Sequence, residues 1–397
     1  MAALSNIPHW ILWRLNELIA LNLVPLTLAF FLALLTSLLV LIPFLLVPKP
    51  RDARPQEKKY ITSDPHKGRS SIRSLPCWYD TWLQQRSAAE KNDNHSEKGT
   101  GSIDEPEVEM SVVIPAYNEE ERLEAMLEEA VAFLDSEYGR VLRPKEKSFV
   151  GKHQEPSSWR GMGGYEILIV DDGSKDRTVN VALAFSQKHG LHDIIRICSL
   201  KRNRGKGGAV THGLRHVRGA YALFADADGA SRFSDLRKLV EGCKEVADIL
   251  GRAVSIGSRA HLVGSEAVVK RSTLRNILMH SFHLLLRFLT PTATSRIRDT
   301  QCGFKLFTRP ALPHIVPYMH TEGWIFDVEI LMLAESAPPA TKGEKESAEA
   351  GIKVNEIYIN WKEVGGSKLS VLWDCIGMAF DLARLRASWI LGLYKRR

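Results

Sequence analysis

The chain has 397 residues, 45% of them hydrophobic, and a formal net charge of +7, enough material for one large or two small domains with a full core. Lys and Arg are interleaved with acids and form no basic stripe with aromatics, which excludes nucleic acid as a partner and leaves a membrane surface or a phosphorylated substrate to explain the excess. Five scattered cysteines (Cys77, Cys198, Cys243, Cys302 and Cys375) with no CxxC pair exclude a disulfide framework or zinc site and fit a reducing compartment.

From Leu18 to Pro48 there is no charged side chain, and Leu23 to Val47 is nearly all apolar, interrupted by Pro25 and Pro43. A membrane-crossing helix needs about 20 such residues, whereas a secretory signal core is much shorter and is followed by a small-residue cleavage site that is missing here. Residues 1–48 are therefore expected to be an N-terminal membrane anchor, with a long buried core helix as the alternative. Arg14 is offset by Glu17 before the span, while Lys49, Arg51, Arg54, Lys58 and Lys59 follow it, so the C-terminal side is expected in the cytosol. The sequon Asn94-His95-Ser96 should then go unused.

Residues 49–108 are polar, carry Pro55 and Pro65, and include "AAEKNDNHSEKGTGSIDEPE". This composition predicts a flexible linker, in which "SLPCWYDTWL" (74–83) is the stretch with material to pack.

Beyond it, "MSVVIPAY" reads as a strand. The following "NEEERLEAMLEEAVAFLDS" has helical spacing, with Leu123, Met126, Leu127, Ala130, Val131 and Leu134 on one face. Then come a strand "YEILIVDDGS", a helix at 177–188, a strand "IIRICS" and a helix "GGAVTHGLRHV". A strand "AYALFAD", a helix "FSDLRKLVEGCKEVADIL" and a strand "AVSIGS" complete the series. Such alternation predicts an α/β fold with a mostly parallel sheet and helices on both faces. The basic insertion between Arg140 and Gly163 reads as a surface loop. In open sheets of this kind ligands bind at the carboxyl ends of the strands, so three polar strand ends predict one crevice.

On an extended strand Asp226 and Asp228 would face one side with Ala227 opposite. Two neighbouring carboxylates repel unless a cation joins them, and Mg²⁺ or Mn²⁺ takes carboxylate and phosphate oxygens together. The pair therefore points to a metal-bound diphosphate; helix capping or a turn is the alternative. Asp171 and Asp172 end a second strand and can accept from a base or a ribose hydroxyl, while Asp176 can cap the next helix. "NRGKGGA" puts Lys206 among three glycines before a helix, a place suited to phosphate, yet it is neither a Walker A loop nor a G-x-G-x-x-G fingerprint.

In chain order, "VVIPAYNEE", "VDDGSKDRT", "NRGKGGA", "DADGAS" and "RDTQCGFKLF" resemble a family 2 glycosyltransferase of GT-A (Rossmann-like) fold, and within it the polyprenyl-phosphate sugar transferases. "EGWIFDVEIL", "VNEIYINWKEVGGSKLS" and the anchor narrow the resemblance to eukaryotic dolichyl-phosphate enzymes that transfer glucose. It covers 109–370, the expected catalytic domain, and leaves 371–397 as an amphipathic, interfacial helix. The resemblance implies UDP-glucose as donor, dolichyl phosphate as acceptor, inversion at the anomeric carbon, and a lipid-linked product used in N-glycan assembly. It also implies a single-pass protein of the endoplasmic reticulum membrane with its catalytic domain facing the cytosol. No protein partner is called for.

By the same resemblance Pro115, Ala116, Tyr117, Glu119, Asp171 and Asp172 hold the uridine, and Asp226, Ala227 and Asp228 the ribose and metal, with Asp228 the direct ligand. Asp327 matches the acid that other members use as a base; with a phosphate acceptor it is expected to orient instead, and Glu329 is either its neighbour in that task or a helix-face residue. The acceptor is a phosphate monoester with a second pKa of about 6, so it needs a cationic cradle more than a base. Arg259, Arg271 and Arg275 are the candidates, Arg275 equally a solvated helix face. Arg298, Lys305 and Lys206 are candidates for the donor diphosphate, and Gln301 for the metal or sugar or for a structural hydrogen bond. The apolar "ILMHSFHLLLRFL" (277–289) is either core or a membrane-dipping helix. A mannosyl transferase using GDP-mannose is the nearest alternative, and a tethered nucleotide-binding scaffold without catalysis the alternative of another class.

Overall fold

A computed structural model describes residues 8–46, 51–66, 70, 72–91, 103–140, 163–262, 281, 284–340, 351–365 and 371–392. The chain falls into two compact units, one containing α1 (His9–Leu46) and the other containing every described strand.

The uncharged N-terminal run folds as one helix, α1, of 38 residues. Every side chain from Pro25 to Leu38 is exposed. Among the described residues no helix is long and apolar enough to cross a membrane.

The segment expected to be a flexible linker is instead packed over much of its length. β1 (Lys59–Tyr60) pairs antiparallel with β2 (Arg73–Ser74), and α2 (Trp78–Lys91) follows. Ile61 exchanges backbone hydrogen bonds with Ile197, and Trp78 Nε1 donates to the Leu214 carbonyl at 2.7 Å. Tyr60, Ile61, Leu75, Trp78 and Trp82 are buried. Polar composition concealed these anchors because each apolar residue stands alone between charges. Each fully buried aromatic or aliphatic side chain contributes about 1.5–3 kcal/mol, which outweighs the low average hydrophobicity. The sequon, at 94–96, lies outside the described residues.

β3 (Val108–Ala116), β4 (Tyr165–Asp171), β5 (Ile195–Ser199), β6 (Gly219–Ala225), β7 (Val254–Ser258), β8 (Phe304–Thr308) and β9 (Val354–Tyr358) form one sheet in the order β5-β4-β3-β6-β8-β7-β9. Pairing is parallel among β3, β4, β5 and β6 and between β7 and β9; β8 runs antiparallel to both neighbours. The predicted parallel α/β sheet thus carries an antiparallel insertion. β8 lies in "GFKLFT", whose strand character was hidden behind its polar motif, and β9 brings in the "VNEIY" segment.

The helices between strands are α3 (Leu123–Glu137), α4 (Thr178–Lys188), α5 (Lys206–Leu214) and α6 (Leu236–Val246). α3 buries Leu123, Met126, Leu127, Ala130, Val131 and Leu134, the face that its spacing predicts. That face meets Met110, Val112 and Ile114 of β3 in the main core, which α6 joins through Leu236, Leu239 and Cys243. α5 packs on β3 and β4. Later come α7 (Thr292–Arg296), α8 (Leu312–Ile315), α9 (Phe326–Glu335) and α10 (Val371–Ile390). α10 buries Leu382 and Leu385 and exposes Phe380. The 140–163 insertion lies outside the described residues except at its ends; within 277–289 the described residues are 281 and 284–289, where Leu286 is buried and Leu284, Leu285 and Phe288 are exposed.

The chain builds β3, β4 and β5 outward in one direction, then returns to place β6 on the other side of β3. Strand order reverses there, and in open sheets of this kind the carboxyl ends of the strands at such a switch point, here β3, β4 and β6, are where a ligand binds.

Candidate active site

The ends of β3 and β4 are laced together by backbone groups. Ala116 stands opposite Asp171 and Pro115 opposite Val170, and the Asp172 N–H donates to the Ala116 carbonyl at 2.8 Å. Beyond Tyr117, Asn118 takes the left-handed conformation at φ 54°, which Asn tolerates better than most residues. Its N–H donates to Ser174 Oγ at 2.9 Å and its side-chain oxygen accepts from the Lys175 N–H at 2.7 Å. The Glu119 N–H donates to Thr178 Oγ1 at 2.7 Å, and the Glu119 carboxylate pairs with Arg122 at 2.6 Å. Asp176 accepts from the Thr178 N–H at 3.0 Å, the structural role expected of it.

Asp171 Oδ1 accepts from the Ser174 N–H at 3.0 Å. Asp172 holds the glycine-rich turn, accepting from the Arg204 N–H at 2.7 Å and the Gly205 N–H at 2.9 Å. Burial pushes the Asp172 carboxyl up to about 6, against the two N–H groups that favour its anion. Both acids are buried and shape the crevice wall.

β6 ends at Ala225, so Asp226 follows the strand and Asp228 sits in a turn. The expected alternation on an extended strand is therefore replaced by strand-end and turn geometry. The Asp226 N–H donates to the Gly303 carbonyl at 3.0 Å, Ala227 is buried, and Asp228 Oδ1 accepts from the Ala230 N–H at 3.0 Å. Gly303 is glycine for a visible reason: a Cβ there would lie 1.9 Å from Asp226 Oδ2. Burial, with the neighbouring Asp226 adding to it, raises the Asp228 carboxyl above its ordinary value.

Lys206 opens α5 and sets its Nζ 2.7 Å from Asp226 Oδ1, with 19% of its side chain exposed. The ammonium lies 5.3 Å from the ring centre of Phe224 and 5.7 Å from that of Trp324. Burial alone would lower its pKa, but Asp226, Asp327 and Asp228 together raise it, so Lys206 is a firmly charged group.

Lys305 and Asp327 form a buried pair close enough to Lys206 and Asp226 to feel their charge. Lys305 is fully buried and its Nζ donates to Asp327 Oδ1 and the Cys302 carbonyl. This corrects the assignment of Lys305 to the donor diphosphate: the strand alternation of β8 turns it into the core, where α9 supplies its counter-ion. Asp327 is 2% exposed, and burial raises its carboxyl although Lys305 and Lys206 oppose the shift. Glu329, also buried, accepts from the His320 and Thr321 N–H groups, both at 2.8 Å, and so staples the loop before α9. Gln301 reaches Met378 Sδ of α10 at 3.6 Å, the structural contact that was its alternative.

Arg259 is engaged by Asp299, which takes its Nε at 2.7 Å, its Nη2 at 2.8 Å and its backbone N–H at 2.9 Å. The guanidinium lies 5.6 Å from the ring centre of Trp361. Burial would lower its pKa, yet the Asp299 hydrogen bonds and charge raise it well above the ordinary value. Arg259 is thus a paired cation, with its own side chain one-third exposed and Asp299 largely buried. Arg298 donates Nη1 to Tyr358 Oη at 3.1 Å. Arg271 and Arg275 lie outside the described residues.

Sequence reasoning missed Arg122, Arg204, Glu322 and Asp299. Asp299 was within reach, since an acid beside Arg298 in a quoted motif is a ready counter-ion. Arg204 and Glu322 are 118 residues apart and meet only through the fold.

Among the described residues there is no cluster of three or more His, Cys, Asp or Glu side chains that could hold a metal ion. The crevice itself offers the two carboxylates Asp226 and Asp228. That donor set fits a hard divalent ion that draws its remaining ligands from a diphosphate and water.

Residues 152–312 match the sequence model of the family described as Glycosyl transferase family 2. The chain is 41% identical to the dolichyl-phosphate beta-glucosyltransferase of Saccharomyces cerevisiae, across 91% of this chain and 92% of the yeast protein. The dolichyl-phosphate beta-glucosyltransferases of Drosophila melanogaster and Homo sapiens are 40% and 39% identical, each across 74% of this chain and across 78% and 79% of their own. Among solved structures, glucosyl-3-phosphoglycerate synthase from Mycobacterium tuberculosis in complex with Mn²⁺, uridine-diphosphate-glucose and phosphoglyceric acid aligns with a TM-score of 0.43 at 18% identity. That alignment covers 71% of this chain and 80% of the other.

Proposed function

This chain belongs to the dolichyl-phosphate β-glucosyltransferases, and from that premise we propose that it transfers glucose from UDP-glucose to dolichyl phosphate with inversion. The observation that carries the reading is the meeting of Asp226, Asp228 and Lys206 at the point where strand order reverses. The relatives' names favour glucose over the mannosyl alternative, and a charged, prepared crevice favours an enzyme over a scaffold that has lost catalysis.

The acceptor phosphate, with a second pKa of about 6, is largely dianionic at neutral pH and attacks without a base. One of its oxygens forms a bond to the anomeric carbon while the bond from that carbon to the diphosphate oxygen breaks, and UDP leaves with the electron pair. Attack opposite the leaving group turns an α-linked donor into a β-linked product. Lys206 is placed to neutralise charge growing on the departing diphosphate. Asp226 and Asp228 would hold Mg²⁺ or Mn²⁺, which when bound supplies further positive charge to the leaving group. The end of β3, Tyr117 and the Asp171–Asp172 turn form the wall assigned to uridine, with Asp172 keeping the Lys206 turn in register with it. Arg259, paired with Asp299, and Arg271 remain the residues we assign to the acceptor phosphate.

Membrane attachment through α1 completes the reading. A helix of 38 residues is about 57 Å long, and the stretch from Pro25 to Leu38 exposes Leu and Phe on all sides. A helix apolar all round calls for lipid. The basic residues after it support a cytosolic catalytic domain at the endoplasmic reticulum.

Membranes carrying the chain, supplied with labelled UDP-glucose or GDP-mannose and dolichyl phosphate, test the reading. Glycolipid labelled from UDP-glucose is expected; label from GDP-mannose alone would refute it. Glycosidase-sensitive modification at Asn94 would refute the cytosolic orientation.

A further inference from the structure

We propose that Glu322 is a positioning residue for the turn that carries Lys206, and that the arm following α1 in sequence locks this turn through Arg51. The role assigned to Lys206 rests on the donor reading above.

The turn 203–205 is gripped from three directions. Asp172 takes the Arg204 and Gly205 N–H groups from the β4 side. Glu322 Oε1 accepts from Arg204 Nε at 3.0 Å and Nη2 at 2.7 Å, and the Glu322 carbonyl accepts from the Gly208 N–H at 3.1 Å. Arg51 closes the third side. Its Nε pairs with Glu322 Oε2, its Nη1 reaches the Asn203 carbonyl at 3.5 Å and its Nη2 the Arg204 carbonyl at 3.4 Å. Arg204 Nη2 returns a hydrogen bond to the Arg51 carbonyl. Gly205 shows how close the surfaces are: at φ 82°, a Cβ there would lie 2.6 Å from the Glu322 carbonyl oxygen.

The charges in this clamp satisfy one another. Arg204 is 8% exposed and lies between Glu322 and Glu57, the latter at 3.8 Å. Neither arginine is needed to bind a ligand for its charge to be balanced. Lys206, the next residue but one after Arg204, is the first group beyond the clamp that faces the crevice. The clamp therefore sets where the Lys206 ammonium stands relative to Asp226. Residue 51 thereby becomes part of the donor site's support, although it lies outside the family motifs.

The test uses the full-length chain in membranes. Arg51→Ala removes a half-exposed ion pair and should raise the donor KM about threefold. Glu322→Gln removes the carboxylate charge that Arg204 and Arg51 share and should raise it about tenfold. In both, the KM for dolichyl phosphate should stay within about twofold of wild type, and Arg51→Lys, which keeps the charge but not the three-way donor fork, should recover only part of the loss. Donor KM values unchanged in an active Arg51→Ala protein would overturn the inference. If Glu322→Gln fails to fold, Arg51→Ala, whose side chain is 54% exposed, carries the test alone. Hydrogen exchange at residues 203–206 gives a readout independent of the donor: faster exchange in Arg51→Ala supports the clamp, and unchanged protection refutes it. Absence of UDP-glucose transfer by the wild type would instead overturn the functional reading.

Discussion

Replacing Gly303 by alanine should remove activity while sparing the fold. The new Cβ would lie 1.9 Å from Asp226 Oδ2, 2.2 Å from its Cγ and 2.5 Å from Oδ1. The shortfall against an ordinary non-bonded contact is about 1.5 Å. The backbone at Gly303 is not left-handed, so alanine is compatible with it and the strain falls on the Asp226 side chain. That side chain can swing, at the cost of its 2.7 Å pair with Lys206. Overpacking of this kind costs about 1–3 kcal/mol of stability, and misplacing a catalytic group by about 1 Å costs on the order of 100-fold in rate. Gly213→Ala is the control. There the Cβ meets Val113 Cγ1 at 2.3 Å and Val170 Cγ2 at 3.0 Å, a core clash that does not touch Asp226. Thermal unfolding and kcat would be measured for both, with UDP-glucose and dolichyl phosphate. Gly303→Ala should keep most of its stability and lose kcat, and Gly213→Ala the reverse. Wild-type kcat in Gly303→Ala, or equal activity losses in the two folded variants, would refute the reasoning.

Asp228→Asn should lower glycolipid synthesis by at least about 100-fold, and chelation should stop the wild type until Mg²⁺ or Mn²⁺ is restored; unchanged synthesis by Asp228→Asn with metal still required would sink the assignment. Lys305→Met should destabilise the protein by about 3–5 kcal/mol, read as a lowered urea midpoint, because Asp327 is left charged and buried without a partner. Stability should fall on acidification. Burial depresses His212 to about 3 and His216 to about 4, from 6.5, so the unfolded chain binds their protons first. Their contribution is intact above about pH 6.5 and is lost as pH drops toward the folded values, on the order of 2 kcal/mol for each ring by pH 5. Asp172, raised to about 6, acts in the opposite sense and returns about 1.5 kcal/mol over the same interval. A melting temperature that did not fall between pH 7.5 and pH 5 would contradict this balance.

The strands and helices from 108 to 258 were legible because each obeys one period: apolar runs buried on both faces of the sheet, and α3 with an unbroken apolar stripe. The crevice was legible because its acids end those strands. Three features were not. The arm at 51–91 spreads its anchors singly through polar sequence, and its partners, such as Ile197 and Leu214, lie more than a hundred residues on. The antiparallel β8 hid within a segment whose charges drew attention, although Lys305 faces the core. The partner of Arg204 was invisible because an ion pair between distant residues leaves no periodic trace. Sequence spacing therefore located the acids of the site better than it located the cations.

Two lysines approach the ring of Phe224, and only one faces the crevice. Lys206 stands 5.3 Å from the ring centre with Asp226, and Lys305 stands 5.8 Å from it with Asp327, sealed from solvent. A buried ion pair adds little net stability over an apolar pair, so its use lies in what it fixes. Here it ties β8 to α9, two residues from the Gly303 that clears Asp226. A carboxylate held in that way has no path to a proton on the acceptor, and a phosphate dianion has none to give up. Asp327→Asn should therefore slow turnover by loosening the β8–α9 junction rather than by removing a base. Its kcat should fall while the pH–rate profile keeps its shape, the acidic limb still following the acceptor phosphate near pH 6. Loss of that limb in Asp327→Asn, with the limb present in wild type, would show that Asp327 takes the proton after all and would overturn the base-free mechanism.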